Sequence, residues 1–235
     1  GNGTDSLYII MKSLGIKQGD EVITVANSWI SSSETISQTG AVPIFIDIEP
    51  ETFSIDSSRI ENKINSKTKA LLIVHLHGQI CNMNQINLLA KKYNLFIIED
   101  CAQSHFSEYN GVNAGLHGVA GSFSFYPGKN LGAYGDAGCI ITNDDELAIK
   151  CRKFANHGGL VKHQHDIEGI NSRMDGIQAN ILRVKLKYIK EWTIQRINIA
   201  KEYNRVLSDL QTEIKTPSIR DNTVHSFHVY QIECA

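Results

Sequence analysis

Apolar positions recur along this chain with two periods that alternate. Leu7, Ile10, Met11 and Leu14 fall at helical spacing behind Thr4 or Asp5, either of which is a plausible N-cap, and Gly15 stops the run. Glu21 to Val25 then reads as a short strand, and Trp29 to Gln38 as a helix closed by Gly40. Val42 to Ile46 is apolar with β-branched residues and predicts a strand. Ser57 to Ile64 reads as a short helix, Lys69 to Leu76 as a buried strand, and Asn84 to Tyr93 as a helix. Leu95 to Ile98 is another apolar strand, ending in Glu99-Asp100.

Strand alternating with helix implies an α/β fold with a mainly parallel sheet. Such strands read as continuous apolar runs because helices cover both faces. Ligands of such sheets gather at the carboxyl ends of strands, where Asp100 falls. Between Gly115 and Gly138 the texture changes. Gly115, Gly118, Gly121, Gly128, Gly132, Gly135 and Gly138 punctuate two short strands, Ser122 to Tyr126 and Cys139 to Thr142. That density predicts backbone held close to a ligand. A helix from Asp144 to Ala155 and a polar loop over 156–174 follow. One long helix is expected from about Asp175 to Leu210, since no Gly or Pro occurs between Gly176 and Leu210, and its length would carry the chain into a second domain. Val224 to Glu233 begins a new strand system.

Composition narrows the class. The 235 residues allow one large domain or two modest ones, and 42% hydrophobic with 20% charged residues excludes disorder for most of the chain. Lys plus Arg is 23 and Asp plus Glu is 25, a net charge of −2, so no basic excess calls for nucleic acid or an anionic membrane. The longest apolar runs, such as Leu7 to Met11, fall far short of the roughly 20 residues of a membrane-spanning helix. Cys81, Cys101, Cys139, Cys151 and Cys234 are scattered, with no CxxC pair, and read as reduced thiols of a cytoplasmic protein without a signal peptide. The chain starts abruptly and ends at Glu233-Cys234-Ala235 inside an apparent strand, so native sequence is expected to be missing at both ends.

Several residues carry candidate chemistry beside a plainer reading. Gly1-Asn2-Gly3-Thr4 opens a helix whose free amides and dipole attract phosphate, or is an ordinary capped turn. It is not a P-loop, because Gly128-Lys129 is followed by Asn130 and not by Ser or Thr, and the third glycine of a dinucleotide fingerprint is absent. Lys129, between aromatics and glycines, is either a surface lysine in a turn or a nucleophilic amine aimed into a pocket. Asp100 either caps the next turn or faces a cationic ring nitrogen, with Gln103 within reach of the same ligand. Trp29 is either a core residue or a platform for a flat ring. His75-x-His77 and His163-x-His165 have metal-compatible spacing, and the first pair would share a strand face. No third ligand is placed by spacing, so core or loop histidines are the better reading of both pairs.

The ordered set of these segments resembles the DegT–StrS family of pyridoxal 5′-phosphate-dependent sugar aminotransferases. The resemblance runs through nearly the whole chain. It rests on Gly3-Thr4-Asp5, Trp29 after Asp20-Glu21-Val22-Ile23, Gly40-Ala41-Val42-Pro43 to Asp47, and Thr68-Lys69-Ala70 to Val74-His75. Then come Gly78, Glu99-Asp100-Cys101-Ala102-Gln103, Ser122-Phe-Ser-Phe-Tyr-Pro-Gly-Lys129-Asn, Asp136-Ala137-Gly138-Cys139, His157-Gly158 and Gly169-Ile170-Asn171-Ser172-Arg173. The resemblance implies an aspartate-aminotransferase-class fold with a mainly parallel, seven-stranded-type sheet. Residues 1–175 would form the large cofactor domain, and 176–235 the connecting helix and the start of a smaller C-terminal α+β domain. Lys129 would be the Schiff-base lysine and Asp100 the carboxylate under the pyridine nitrogen. Gln103 would lie beside the phenolic oxygen, and Trp29 would stack on the ring. Gly3, Thr4 and Asp5 would supply the phosphate cup, Ser124 a hydroxyl to the same phosphate, and Asn171 a contact from the neighbouring subunit of a homodimer with shared sites.

The implied reaction moves an amine from an amino acid, by family glutamate, to a nucleotide-linked ketosugar, nearest to a dTDP-3-keto-6-deoxyhexose. Amination at the 4-position, a sugar dehydratase on the same fold and a non-catalytic relative are the alternatives. Family dehydratases carry histidine where Lys129 stands, which argues against the second. Ser31-Ser32-Ser33 replaces the Ala-Thr that the family often has, and the sequence offers no reading of that change.

Overall fold

The computed structural model describes residues 1–210 and 213–234. Its elements follow the predicted alternation. They are α1 (Gly3–Ser13), β1 (Glu21–Val25), α2 (Ser31–Gln38), β2 (Val42–Ile46), α3 (Ser57–Ile60), β3 (Thr68–Val74), α4 (Met83–Tyr93) and β4 (Phe96–Asp100). Two short strands, β5 (Glu108–Tyr109) and β6 (Val112–Asn113), precede β7 (Ala120–Ser124), β8 (Gly138–Ile141) and α5 (Asp145–Ala155). The chain ends with α6 (Gly176–Lys185), α7 (Ile189–Leu207) and the short strands β9 (Ile214–Lys215), β10 (Thr223–Val224) and β11 (Glu233–Cys234). Ala235, expected inside that last strand, lies outside the described residues.

The central sheet runs β2-β1-β3-β4-β7-β8. Its strands are parallel up to β7, and β8 returns antiparallel beside β7. The described residues thus contribute six strands where a seven-stranded type is expected. Alternation of side chains divides the core in two. Leu71, Ile73 and Ile97 face Ile60, Met83, Ile86 and Leu89 of α3 and α4. Ala70, Leu72 and Ile98 face Ile10 and Met11 of α1, Ile36 of α2 and Leu147 of α5. Helices on both faces account for the unbroken apolar runs of β3 and β4.

Two expectations are corrected. The cap of α1 is Asn2, not Thr4 or Asp5; its side chain accepts the Asp5 amide at 2.8 Å. The single long helix is two. Around Leu186 to Tyr188 the backbone tightens to three-residue bonds, Lys187 to Val184 and Tyr188 to Lys185. No proline or glycine forces this. Leu182 and Ile189 both bury against Phe125, Leu131 and Ala137, and Lys185 Nζ donates to the Gly132 carbonyl at 2.6 Å. Packing on one hairpin overrides the helical propensity of the linker. Among the described residues no helix is long and apolar enough to cross a membrane.

The first part of the glycine-dense stretch has an internal task. Gly115, His117 and Gly118 turn their amides onto buried Glu99 at 2.7, 2.8 and 2.6 Å, and His75 Nε2 contacts the same carboxylate at 2.9 Å. These glycines serve an internal carboxylate. Burial works against the charge on Glu99, but His75 and the Gly118 and Gly115 amides outweigh it and hold its pKa below the usual value. Glu99→Ala strands these donors in the core. The substitution should lower the unfolding free energy by about 3–5 kcal/mol, the range for breaking a buried charged cluster. Urea unfolding of wild type and variant measures it.

Candidate active site

The carboxyl ends of β3 and β4 place Asp100 beside Ser122 of β7 and Val74 of β3 in register. Asp100 is 7% exposed. Its Oδ1 accepts the Ala102 amide at 3.1 Å and its Oδ2 accepts the Ser32 hydroxyl at 3.1 Å. Burial pushes its pKa up, while the Ala102 amide, Ser32 and the nearby Lys129 ammonium pull it back. The hydroxyls form a directed relay. A carboxylate only accepts, so Ser32 must donate to Asp100, and Ser28, 2.8 Å from Ser32, must donate to Ser32 in turn. The serine run left unread in the sequence is thus the support of the buried aspartate.

Lys129 stands in the turn beyond β7, held by its amide on the Tyr126 carbonyl at 2.8 Å. It is half-buried. Burial lowers its pKa and the Asp100 carboxylate partly restores it. Its half-burial sets Lys129 apart from a fully solvated surface lysine. Trp29 is 74% exposed, which removes the core reading and leaves an uncovered indole beside the Ser28–Ser32 relay.

The start of α1 closes the other side. Ser6 donates its amide to Asn2, and Asp5 donates to the Asn2 side chain, so the Gly3 and Thr4 amides are left without an intrahelical acceptor. The Asp5 amide, expected in the phosphate cup, is already engaged, and the Asp5 carboxylate accepts the Ser172 hydroxyl at 2.7 Å. Thr4 and Ser31 hydroxyls meet at 2.7 Å. Ser122 Oγ reaches the Gly3 carbonyl at 3.1 Å and Ser6 Oγ at 2.5 Å, bolting the helix to β7. Gly3 permits this approach: a Cβ there would lie 2.7 Å from that of Ser124. Gln103 spends its carbonyl on the His77 amide at 2.6 Å, which leaves its NH2 to donate. Asn171 is exposed, its backbone bridged to Asn156.

His77 leaves the strand at φ 61°, so His75 and His77 do not share a strand face. His75, Glu99 and Cys101 do cluster, but both Glu99 oxygens are saturated by protein donors. Sequence reasoning missed His105, His225 and His228, which burial keeps uncharged in the folded chain. Burial, with His228 and Lys129, pushes His105 down to about 3, and burial with His77 takes His225 to about 3. Burial with Lys129, Arg196 and His77 brings His228 to about 4. Only their tertiary meeting reveals them.

A buried carboxylate at the end of β4, the N-terminus of α1 and a half-buried lysine beyond β7 thus lie toward the carboxyl ends of the parallel strands. The profile of the DegT/DnrJ/EryC1/StrS aminotransferase family matches residues 1–235, and the chain belongs to that family. Its fold is the mainly parallel α/β class of those aminotransferases. It is 46% identical over 233 residues to a "pleiotropic regulatory protein" of Geobacillus stearothermophilus, covering 99% of this chain and 63% of that one. It is 45% identical over 231 residues to dTDP-3-amino-3,6-dideoxy-alpha-D-galactopyranose transaminase of Aneurinibacillus thermoaerophilus, covering 98% and 63%. DesV of S. venezuelae, solved in complex with a ketimine intermediate, superposes with a TM-score of 0.97 at 37% identity, covering 99% of this chain and 62% of that one. The chain spans about 63% of the length of these curated relatives.

Two outcomes test the electrostatics. Between about pH 6.5 and pH 4 to 3 the unfolded chain protonates His105, His225 and His228 while the folded chain does not. The stability these groups contribute is full above pH 6.5 and is lost as pH falls through that window. Urea midpoints should drop from pH 7 to pH 5, and equal midpoints would contradict the assignment. Ser32→Ala should raise the Asp100 pKa further, and Ser32→Thr should restore it, as read by carbon-detected NMR titration of the carboxyl group.

Proposed function

We propose that this chain carries the cofactor site of a pyridoxal 5′-phosphate-dependent aminotransferase acting on nucleotide-linked ketosugars. The observation that carries this reading is the Lys129–Asp100 pair. A half-buried amine with a lowered pKa lies close enough to a buried carboxylate for each to shift the other. The donor set fits the cofactor. The free Gly3 and Thr4 amides at the positive end of α1, with the Thr4 and Ser124 hydroxyls, match a phosphate, the exposed Trp29 indole matches a flat ring, and Asp100 matches a cationic ring nitrogen. The spare NH2 of Gln103 matches a phenolate oxygen.

When bound, pyridoxal phosphate supplies a protonated ring that accepts the electron pair left as a proton leaves the substrate carbon. Asp100, oriented by the Ser32 hydroxyl and the Ala102 amide, would hold the proton of the ring nitrogen. Lys129 Nζ would be the nucleophile that holds the cofactor and the group that moves the proton as general base and acid. Its lowered pKa leaves a larger share of free amine near neutrality. Residues 1–175 serve as the cofactor domain, and 176–235 lead into a smaller one. The acceptor is by this reading a dTDP-3-keto-6-deoxyhexose, as the name of the Aneurinibacillus relative favours, and the donor glutamate. The working form is a cytoplasmic homodimer in which Asn171 reaches the phosphate site of the neighbouring copy.

The regulatory name of the Geobacillus relative favours a second reading, a non-catalytic protein on the same fold. One experiment separates the two. Borohydride reduction with pyridoxal phosphate, followed by peptide mapping, should label Lys129. Lys129→Ala should bind the cofactor without a covalent bond and lose turnover by roughly 10²–10⁴-fold or more, the range for a positioned general base. No label on wild type favours the second reading.

A further inference from the structure

Lys129 is followed by Asn130, which is 6% exposed and contacts a segment nearly a hundred residues away. Its Nδ2 donates to the Ser226 carbonyl at 3.0 Å. Its Oδ1 lies 3.1 Å from His228 Nδ1, and because a carboxamide oxygen only accepts, that ring nitrogen carries the proton. One side chain thus uses donor and acceptor on partners two residues apart, which fixes its orientation.

The segment it grips is itself over-determined. Phe227 sits at φ 44°, a left-handed conformation that a bulky residue adopts only under constraint. Arg196 of α7 donates to its carbonyl at 3.2 Å. The Ser226 amide reaches the Gly78 carbonyl at 3.2 Å, and the His228 amide the His77 carbonyl at 2.9 Å. Ser107 Oγ bonds Gly78 at 2.7 Å and Ser226 Oγ at 2.9 Å. Gly78, at φ +106°, is the cradle: a Cβ there would fall 2.6 Å from Ser226 Oγ and 2.8 Å from the Phe227 nitrogen. By contrast the other flank of Lys129, Tyr126 to Gly128, is exposed.

We propose that Asn130 is a positioning residue, whose carboxamide clamps the Lys129 turn to residues 226–228 and so lets the C-terminal part of the chain set where the amine stands. The clamp rests on the proposed role of Lys129 in covalent cofactor attachment. A lysine on a turn free at both flanks samples many positions, whereas attack on a carbonyl needs near-contact geometry. The carboxamide supplies the fixed flank, and α7 supplies its anchor through Arg196 and Phe227.

The test uses Asn130→Ala, Asn130→Asp and His228→Ala in the full 235-residue chain. Asn130→Asp keeps an acceptor for His228 but loses the donor to Ser226, and His228→Ala removes only the other arm. Two readouts apply: the rate of borohydride-trapped labelling of Lys129 at fixed pyridoxal phosphate, and hydrogen exchange of the cofactor-free protein. Asn130→Ala should slow labelling by about tenfold or more, since misplacement by about 1 Å can cost 10²-fold. Each single-arm variant should fall between it and wild type. Exchange should rise together over 126–133 and 225–229. Wild-type labelling rates, or faster exchange in one segment alone, would overturn the clamp. If Asn130→Ala does not fold, His228→Ala decides by the same two measures. A wild-type chain that takes no label on Lys129 defeats the functional reading, while coupled exchange of the two segments still judges the clamp.

Discussion

Two carboxylates end β4 side by side, and both are buried. A strand turns neighbouring side chains to opposite faces, so Glu99 and Asp100 cannot share partners. Each must find its own, because an unpaired buried charge is far too costly to keep. Glu99 faces the α3–α4 side and takes four donors from His75 and the 115–118 turn. Asp100 faces the α1–α2 side and takes the Ser32 hydroxyl and the Ala102 amide. The first is fully satisfied and structural. The second feels the charge of Lys129 as well, and the proposed chemistry rests on that pairing.

Around this point the chain spends small hydroxyls where other proteins spend charged residues. Ser28, Ser32, Thr4, Ser31, Ser6 and Ser122 link α1, α2 and β7 through bonds of 2.5 to 3.1 Å. A hydroxyl both gives and takes, so it can pass orientation along a chain of bonds without adding net charge next to Asp100. The start of α1 is thereby fixed against the strand that leads to Lys129. Two of its amides stay free for an anion while the rest of the helix is capped.

The C-terminal third belongs to the site as much as the sheet does. Leu182 and Ile189 close the apolar floor of the lysine hairpin, and residues 225–229 wall its far side. The interruption between α6 and α7 and the left-handed Phe227 both belong to this closure. Neither has a local cause in the chain.

What the sequence determined follows from short-range physics. Strands buried on both faces announce themselves as apolar runs, so β1, β3 and β4 and the α/β class were legible, as was the placement of Asp100 at a strand end. Lys129, Asp100 and Trp29 were each ambiguous alone, and only their order along the chain carried the family resemblance. Tertiary structure decided the rest. Asn2 took the cap from Thr4 and Asp5 because its side chain already reached the free amide. The expected long helix broke where the segments on either side of the break, through Leu182 and Ile189, pack on one hairpin. The serine run gained meaning only when Asp100, 68 residues away from Ser32, came within 3.1 Å. Asn130 and His228 met across 98 residues. Periodicity reports which face a residue turns inward; it carries no information about which distant polar group is waiting there.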